Sequence, residues 1–466
     1  MWGPGECGPD TQPDHPCSGA ALQQRGPART AIKGWAGGLL CFTDPCTQRV
    51  ARLREQHPTM PTPNTRRLRP RIVVVGANFA GLAAAQHLGR QYAVTVIDRS
   101  PWFEWLPNIH ELLSGVKCPA DLRLPRRRLL ARAGHRFVRA EVTAVDARAG
   151  RVVTSSGRRF EFDACIVAVG GVNETFGVRG AERYALPFKS VDDCAVIGRQ
   201  LAALARRPGK TSIVIVGGGL EGIEALGEIL RRYRDRVSLG ITVVEAGPRL
   251  LPGAPPALDA TVRVRCAPFN VRFLTRTRVT AVTRRRVRLD SGDALHSDLT
   301  IWTGGVAPSP LLRASDLTSK PGQWAPVTPT LQSTRFDNVF VIGDATMLPR
   351  VLSKQAYYAL QMGKCAADNA ARLLANRRLR NFRPSAKPML VAFGDLDTFL
   401  VAGQSVLASP ALAAAKESVF QLTMAQLDPP LGAAPLRDAT NRLTRAAREL
   451  ALPRLAFRST GRRPVG

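Results

Sequence analysis

The chain of 466 residues is 45% hydrophobic and 22% charged, enough for two or three globular domains and a substantial core. Its formal net charge of +30 comes mostly from scattered arginines, with no nucleic-acid-binding motif among them, which argues against nucleic acid and leaves an anionic membrane surface open. No apolar run reaches the roughly 20 residues of a spanning helix, and nine irregularly spaced cysteines without a C-x-x-C pair argue against a disulfide framework or a zinc site.

Residues 1 to 69 are rich in Gly, Pro, Gln, Thr and Cys and carry no sustained period. They read as a disordered extension or as a start placed too early, with Met60 a natural alternative. They include CFTDPC, Cys41 to Cys46, whose spacing matches that of a redox-active thiol pair.

Regular patterning starts at Arg71. IVVV reads as a buried parallel strand and AGLAAAQHL as a helix, with Gly76-Ala77-Asn78-Phe79-Ala80-Gly81 between them. Gly76 permits the tight turn, Gly81 allows close helix–strand packing, and the helix N-terminus faces a pyrophosphate. The next strand, AVTVID, ends in Asp98, placed to accept from a ribose. Asn78 replaces the usual middle glycine; it tolerates unusual backbone angles, but its side chain is expected to crowd the phosphate approach.

The design recurs in SIVIVGGGLEGIEALGEIL, with Gly217, Gly219 and Gly222, and its partner strand ends in Glu245. Two such units imply two dinucleotides. A carboxylate at Glu245 repels a 2′-phosphate and favours NADH, while Arg249 keeps NADPH open. Strand ends also fall at Gly170, at Thr303-Gly304-Gly305 and at Gly343-Asp344, the last able to hold flavin ribityl hydroxyls. Beyond Pro384, KPMLVAFGDLDTFLVAG reads as a hairpin. In the tail, Leu436, Ala439, Leu443, Ala446, Ala447 and Leu450 share a helical face, with Arg437, Arg442, Arg445 and Arg448 mainly off it. Such a helix suits anionic lipid, the protein core or a dimer contact.

This order of motifs resembles the two-dinucleotide flavoproteins, most closely type II NADH dehydrogenases and apoptosis-inducing-factor-like NAD(P)H:quinone reductases. The resemblance covers roughly residues 71 to 383. It implies an α/β fold of two Rossmann-like domains of the pyridine nucleotide-disulfide oxidoreductase type, plus a C-terminal α+β or helical tail. The FAD domain would span 70 to 205 and 319 to 385, the NADH domain 206 to 318, and the tail 386 to 466.

By the same resemblance, Gly76, Asn78, Gly81, Asp98, Val142, Gly170, Gly343, Asp344 and Ala356 would hold FAD. Gly217, Gly219, Gly222, Glu245, Gly304 and Gly305 would hold NADH. Glu224 would lie near both rings, although an acid near a helix N-terminus also has a purely structural use. Type II enzymes carry Ala-Gln at the turn opening the late helix; here it reads Ala356-Tyr357, with Gln361 at the place of a second glutamine. Tyr357 and Gln361 are therefore the candidates for quinone contact.

Paired-thiol relatives place their cysteines after the first acid, whereas Cys41 and Cys46 precede the first strand. After Asp98 only Cys118 is near, without the surroundings of a catalytic thiol, and no cysteine lies between Asp344 and the next helix, as a sulfide:quinone reductase would require. The expectation is hydride transfer from NADH to FAD and then two electrons to a quinone, in the cytoplasm or peripherally on the inner face of its membrane. Reduction of a small redox protein such as ferredoxin, or non-catalytic nucleotide sensing, are the alternatives, and a homodimer is open.

Overall fold

The computed structural model describes residues 69–236, 238–385 and 387–429. Strand β1 (Arg71–Val75) has four buried residues in its RIVVV run, as a strand covered on both faces requires. Helix α1 (Phe79–His87) follows, and β2 (Ala93–Asp98) pairs in parallel with β1. Next come the short helix α2 (Glu111–Ser114), α3 (Arg126–Ala133), β3 (Arg136–Arg139) and β4 (Ala164–Val167). An antiparallel meander over residues 142–161 separates β3 from β4. Helix α4 (Val191–Ala205) is capped by Ser190, whose hydroxyl accepts from the Asp193 N–H at 3.1 Å.

The second unit comprises β5 (Thr211–Val216), α5 (Leu220–Tyr233), β6 (Leu239–Val244), β7 (Val271–Leu274) and β8 (Leu299–Trp302). The chain then returns to the first sheet with β9 (Val339–Val341) and α6 (Ala356–Leu374). It ends, among the described residues, with β10 (Met389–Phe393), β11 (Asp397–Ala402), β12 (Ser405–Ala408) and α7 (Leu412–Leu427).

The first sheet has the order β9–β4–β1–β2–β3 and is parallel throughout. The second runs Leu186–Pro187, β8, β5, β6, β7, also parallel. Two doubly wound sheets are thus present, as the motif order implied. Leu186–Pro187 joins the second sheet ahead of residue 206, where the sequence suggested that unit begins.

Helix α1 buries every residue from Phe79 to Ala85 because α6 packs directly on it. A Cβ at Gly363 would strike the Ala80 carbonyl, so this approach needs the small residues of AGLAAA opposite Gly363, Ala366, Ala367 and Ala370. The antiparallel sheet β10–β12 rests on α5, where a Cβ on Gly227 would lie 2.5 Å from the Gly394 nitrogen. Helix α7 covers β11 and is fastened at its end by Asp428, which pairs with Arg128 and Arg132 of α3. One apolar core runs from the first sheet through the second to Phe393, Phe399 and Phe420. No helix among the described residues is long and apolar enough to cross a membrane.

Candidate active site

Both glycine cradles are built by the same steric device. Gly76 has φ +89° and Gly217 φ +108°, a region that disfavours any side chain. Their N–H groups donate to Ile97 O and Val244 O, each at 2.8 Å, which ties each turn to the neighbouring strand end. A Cβ on Gly81 would run into Gly76 O, and one on Gly222 into Gly217 O. Only glycine lets each helix start this close to its strand.

The middle positions differ. Asn78 has φ −91° and needs no left-handed tolerance, and its side-chain oxygen accepts from the Glu104 N–H at 3.1 Å. The side chain is drawn toward Glu104. Gly219 has φ −73°, and a Cβ there would meet nothing within 4 Å. That open space lies at the N-terminus of α5, where backbone N–H groups lack helical partners.

The acids differ more. Asp98 Oδ2 accepts from the Ala77 N–H at 2.7 Å; its Oδ1 accepts from the Ser100 N–H at 2.8 Å and lies 2.6 Å from Arg126 Nη1. Arg126 is buried and also donates to Ala77 O at 2.9 Å and Ser100 O at 2.7 Å. Burial pulls its pKa down from the usual guanidinium value, against the pull of Asp98. Glu245 has no cation: it accepts from the Gly218 and Gly247 N–H groups, each at 2.7 Å. Arg249 instead donates to Leu251 O at 3.1 Å and Pro252 O at 2.8 Å. A carboxylate offers about four lone-pair positions. One remains free on Asp98 and two on Glu245, so both acids can accept from a ribose.

Around these cradles lie the other expected residues. Val142 opens the meander at an irregular pairing with Thr154. Gly170 has φ +63° and open space in front of it, and Gly304 and Gly305 lie against the rings of Trp302 and Phe176. Gly343 and Asp344 form a single turn after β9. Burial raises the pKa of Asp344, opposed by Lys354 and Lys189. Lys354 donates to the Asp344 carbonyl, and its Nζ lies 3.2 Å from the Trp324 ring centroid. Lys189 pairs with Glu221 of α5 at 2.6 Å, linking the second cradle to this turn. Ala356 is the first residue of α6. The free position on Asp98, the open space at Gly170 and the bare start of α6 fit a flavin nucleotide.

Glu224 lies one turn into α5 and is 7% exposed. Its Oε1 accepts from Lys416 Nζ of α7 at 2.7 Å and from the Ala392 N–H at 3.3 Å. Its Oε2 lies 3.5 Å from His110 Nδ1. Burial raises its pKa, and Lys416 opposes the rise. One turn further, Glu228 is wholly buried against Ser114 and Arg231, and burial lifts its pKa to about 7. Nearby, Lys117 lies between Glu417 at 2.8 Å and Glu111 at 3.4 Å.

Tyr357 and Gln361 bond to the segment ahead of β10. The Tyr357 hydroxyl donates to Lys387 O at 3.4 Å. Gln361 donates to Ser385 O at 3.3 Å and accepts from Ser385 N–H at 2.9 Å. Both side chains use their polar atoms to fasten the segment leading into β10. Among the described cysteines, Cys165, Cys194, Cys266 and Cys365 have thiol pKa values pushed up chiefly by burial, the opposite of a poised thiolate. Cys118 is exposed at the start of a short helical turn. Cys41 and Cys46, and the helical face from Leu436 to Leu450, lie outside the described residues.

The profile of the pyridine nucleotide-disulphide oxidoreductase family matches residues 70–363, well over half of the chain. The chain belongs to this family. A curated member, the type II NADH:quinone oxidoreductase of Staphylococcus aureus (strain NCTC 8325 / PS 47), is 28% identical over 358 residues, covering 71% of this chain and 89% of its own. Two solved structures share the family fold. NDH2 from Plasmodium falciparum in complex with NADH aligns with TM-score 0.69 at 16% identity, over 77% of this chain and 95% of its own. The sulfide:quinone oxidoreductase of Aquifex aeolicus aligns with TM-score 0.70 at 20% identity, over 82% and 95%.

Against the family fold, the residues that sequence reading missed are Arg126, Lys189, His110, Lys354 and Lys416. Lys416 is 192 residues from Glu224, and no local pattern announces such a pairing.

Proposed function

We propose that the chain is an FAD-dependent NADH:quinone oxidoreductase that works without a redox disulfide. The observation that carries this reading is a pair of acid-tipped glycine cradles, at the carboxyl ends of two parallel sheets, with Glu224 on the helix of the second paired to Lys416 of α7. Open α/β sheets bind their ligands at that end.

FAD would be held by Gly76, Asn78, Gly81, Asp98, Val142, Gly170, Gly343, Asp344 and Ala356. NADH would be held by Gly217, Gly219, Gly222, Glu245, Gly304 and Gly305, with the two free positions on Glu245 taking ribose hydroxyls and its charge turning away NADPH. FAD, when bound, would supply the redox chemistry that links hydride from NADH to two-electron reduction of the quinone. The chain's own work is positioning and charge. The unpaired N–H groups at the start of α6 favour negative charge beside Ala356. Glu224 and Lys416 keep an exchangeable proton in a dry site, and Tyr357 and Gln361 hold the segment that brings Ala392 to Glu224. The buried thiols take no part.

The name carried by the Staphylococcus aureus relative supports the quinone as acceptor. A net charge of +30, with Leu407, Val419 and Leu422 exposed on the C-terminal unit, supports peripheral contact with anionic lipid on the inner face of the cytoplasmic membrane. Self-association as a homodimer belongs to the same reading.

The test is NADH oxidation by the purified yellow protein with menadione, a short-chain ubiquinone and ferredoxin as acceptors. Faster turnover with either quinone than with ferredoxin or air supports the reading. Preference for ferredoxin would replace it with a redox-protein reductase, and bleaching without acceptor-dependent turnover would replace it with a nucleotide sensor.

A further inference from the structure

The polar cluster between α2, α5 and α7 holds one group that the reading above does not use. His110 lies just ahead of α2 and is 1% exposed. Its Nε2 is 3.5 Å from Lys416 Nζ. An ammonium has only protons to offer, so Nε2 presents its lone pair and the ring proton sits on Nδ1. That Nδ1–H makes no hydrogen bond, although Glu224 Oε2 is 3.5 Å away. A buried donor left unpaired is destabilising and needs a reason.

The surroundings keep the ring neutral. Burial first, then Lys416, Arg231 and Lys117, hold the His110 pKa well below the ordinary imidazole value. The charged groups about it are Glu111 and Lys117 beside α2, Glu224, Glu228 and Arg231 on α5, and Lys416 and Glu417 on α7. Burial and three nearby cations together disfavour storing a proton here as imidazolium. The ring can pass one by exchanging tautomers.

We propose that His110 relays the proton that quinone reduction consumes, giving it from Nδ1 while Nε2 takes one from Lys416. The inference rests on the acceptor reading above. Overall, NADH, one proton and a quinone become NAD⁺ and a quinol: NADH loses two electrons, the quinone gains them, and one of its two new protons comes from solvent. In the relay the His110 Nδ1–H bond breaks as a Glu224 Oε2–H bond forms, and a Lys416 N–H breaks as an Nε2–H forms; the Glu224 O–H bond then breaks as a quinol O–H forms. The ring stays neutral. A solvent proton taken up by Glu224 then passes to Nδ1 as the Nε2 proton returns to Lys416, and the site is restored.

His135 supplies an internal reference. It is buried too, but its Nε2 faces the carbonyls of Ala85 at 2.8 Å and Leu88 at 3.2 Å, so its proton sits on Nε2. In ¹⁵N spectra of histidine-labelled, flavin-loaded protein at neutral pH, the two buried rings should show opposite tautomers, independently of turnover. An imidazolium signal from His110, or the same tautomer as His135, would overturn the relay.

Kinetics give the second arm. His110→Asn keeps a donor near the Nδ1 position but has no second nitrogen to reload. We expect about a 100-fold slower quinone-dependent step, within the range of general acid–base catalysis, a larger solvent deuterium isotope effect, and unchanged bleaching by NADH. A His110→Asn protein that matches wild type while wild type turns over with quinone sinks the relay alone. A wild type that quinones do not reoxidise sinks the acceptor reading, and the relay with it. Should His110→Asn not fold, the tautomer measurement on wild-type protein still decides.

Discussion

The two cradles share one steric plan and differ in how their acids are held. At the first, Asp98 is locked by a buried arginine that also fastens the turn through Ala77 and Ser100, and Asn78 is tied to Glu104. At the second, Glu245 touches only backbone N–H groups, and the space before Gly219 is empty of protein atoms. A site held rigid by cross-links suits a nucleotide that stays; an open one suits a nucleotide that comes and goes. The helices differ as well. Helix α1 carries no acid in FAGLAAAQH, whereas α5 carries Glu221, Glu224 and Glu228.

The largest break in this comparison comes at Arg126. Arg126→Met leaves the part-buried Asp98 without its cation and should cost about 3 kcal/mol. The checks are urea unfolding and the flavin-to-protein ratio after purification, which should collapse; Glu245→Gln should leave both near wild type.

Next is pH. The Glu228 pKa is about 7 folded, against an unperturbed 4.5. The folded protein therefore holds more protons than the unfolded chain between those values, and stability falls as pH rises through that window, by up to about 3 kcal/mol. Glu228→Gln should flatten that slope in pH-dependent unfolding.

Glu245→Gln should raise the NADPH to NADH ratio of kcat/KM about tenfold or more, equivalent to ~1.4 kcal/mol, by removing a charge that faces the 2′-phosphate. Gly219→Ala should leave the melting temperature in place, because its backbone is ordinary and its Cβ meets open space, yet raise the KM for NADH several-fold. The corresponding small residue of the first cradle gives the smallest effect. Asn78→Ala forfeits one hydrogen bond to Glu104, about 0.5–1.5 kcal/mol, with flavin retained.

What the sequence revealed was whatever is local. Gly76, Gly81 and Asp98, and Gly217, Gly222 and Glu245, act within one strand–turn–helix–strand unit, so spacing alone exposes them. Asn78 was legible as a departure, but the direction of its side chain depends on Glu104, which spacing does not place. Arg126 sat in view within a run of three arginines that reads as solvated surface; only the fold turns it inward to Asp98. His110 and Lys416 were invisible because their partners come from α5, far along the chain. Gln361 and Tyr357 kept their places at the start of α6, but the segment leading into β10, which has no motif of its own, claims their polar atoms.

The central claim is that electrons pass from NADH through a resident flavin to a quinone with no sulfur between. Anaerobic stopped-flow on the flavin-loaded protein tests it most directly, first mixing with NADH and then with menadione, on wild type and on Cys118→Ser. The yellow absorbance should bleach with NADH and return with menadione far faster than with air, at the same rates in both proteins. Failure of menadione to restore the colour, or loss of that step in Cys118→Ser, would contradict it.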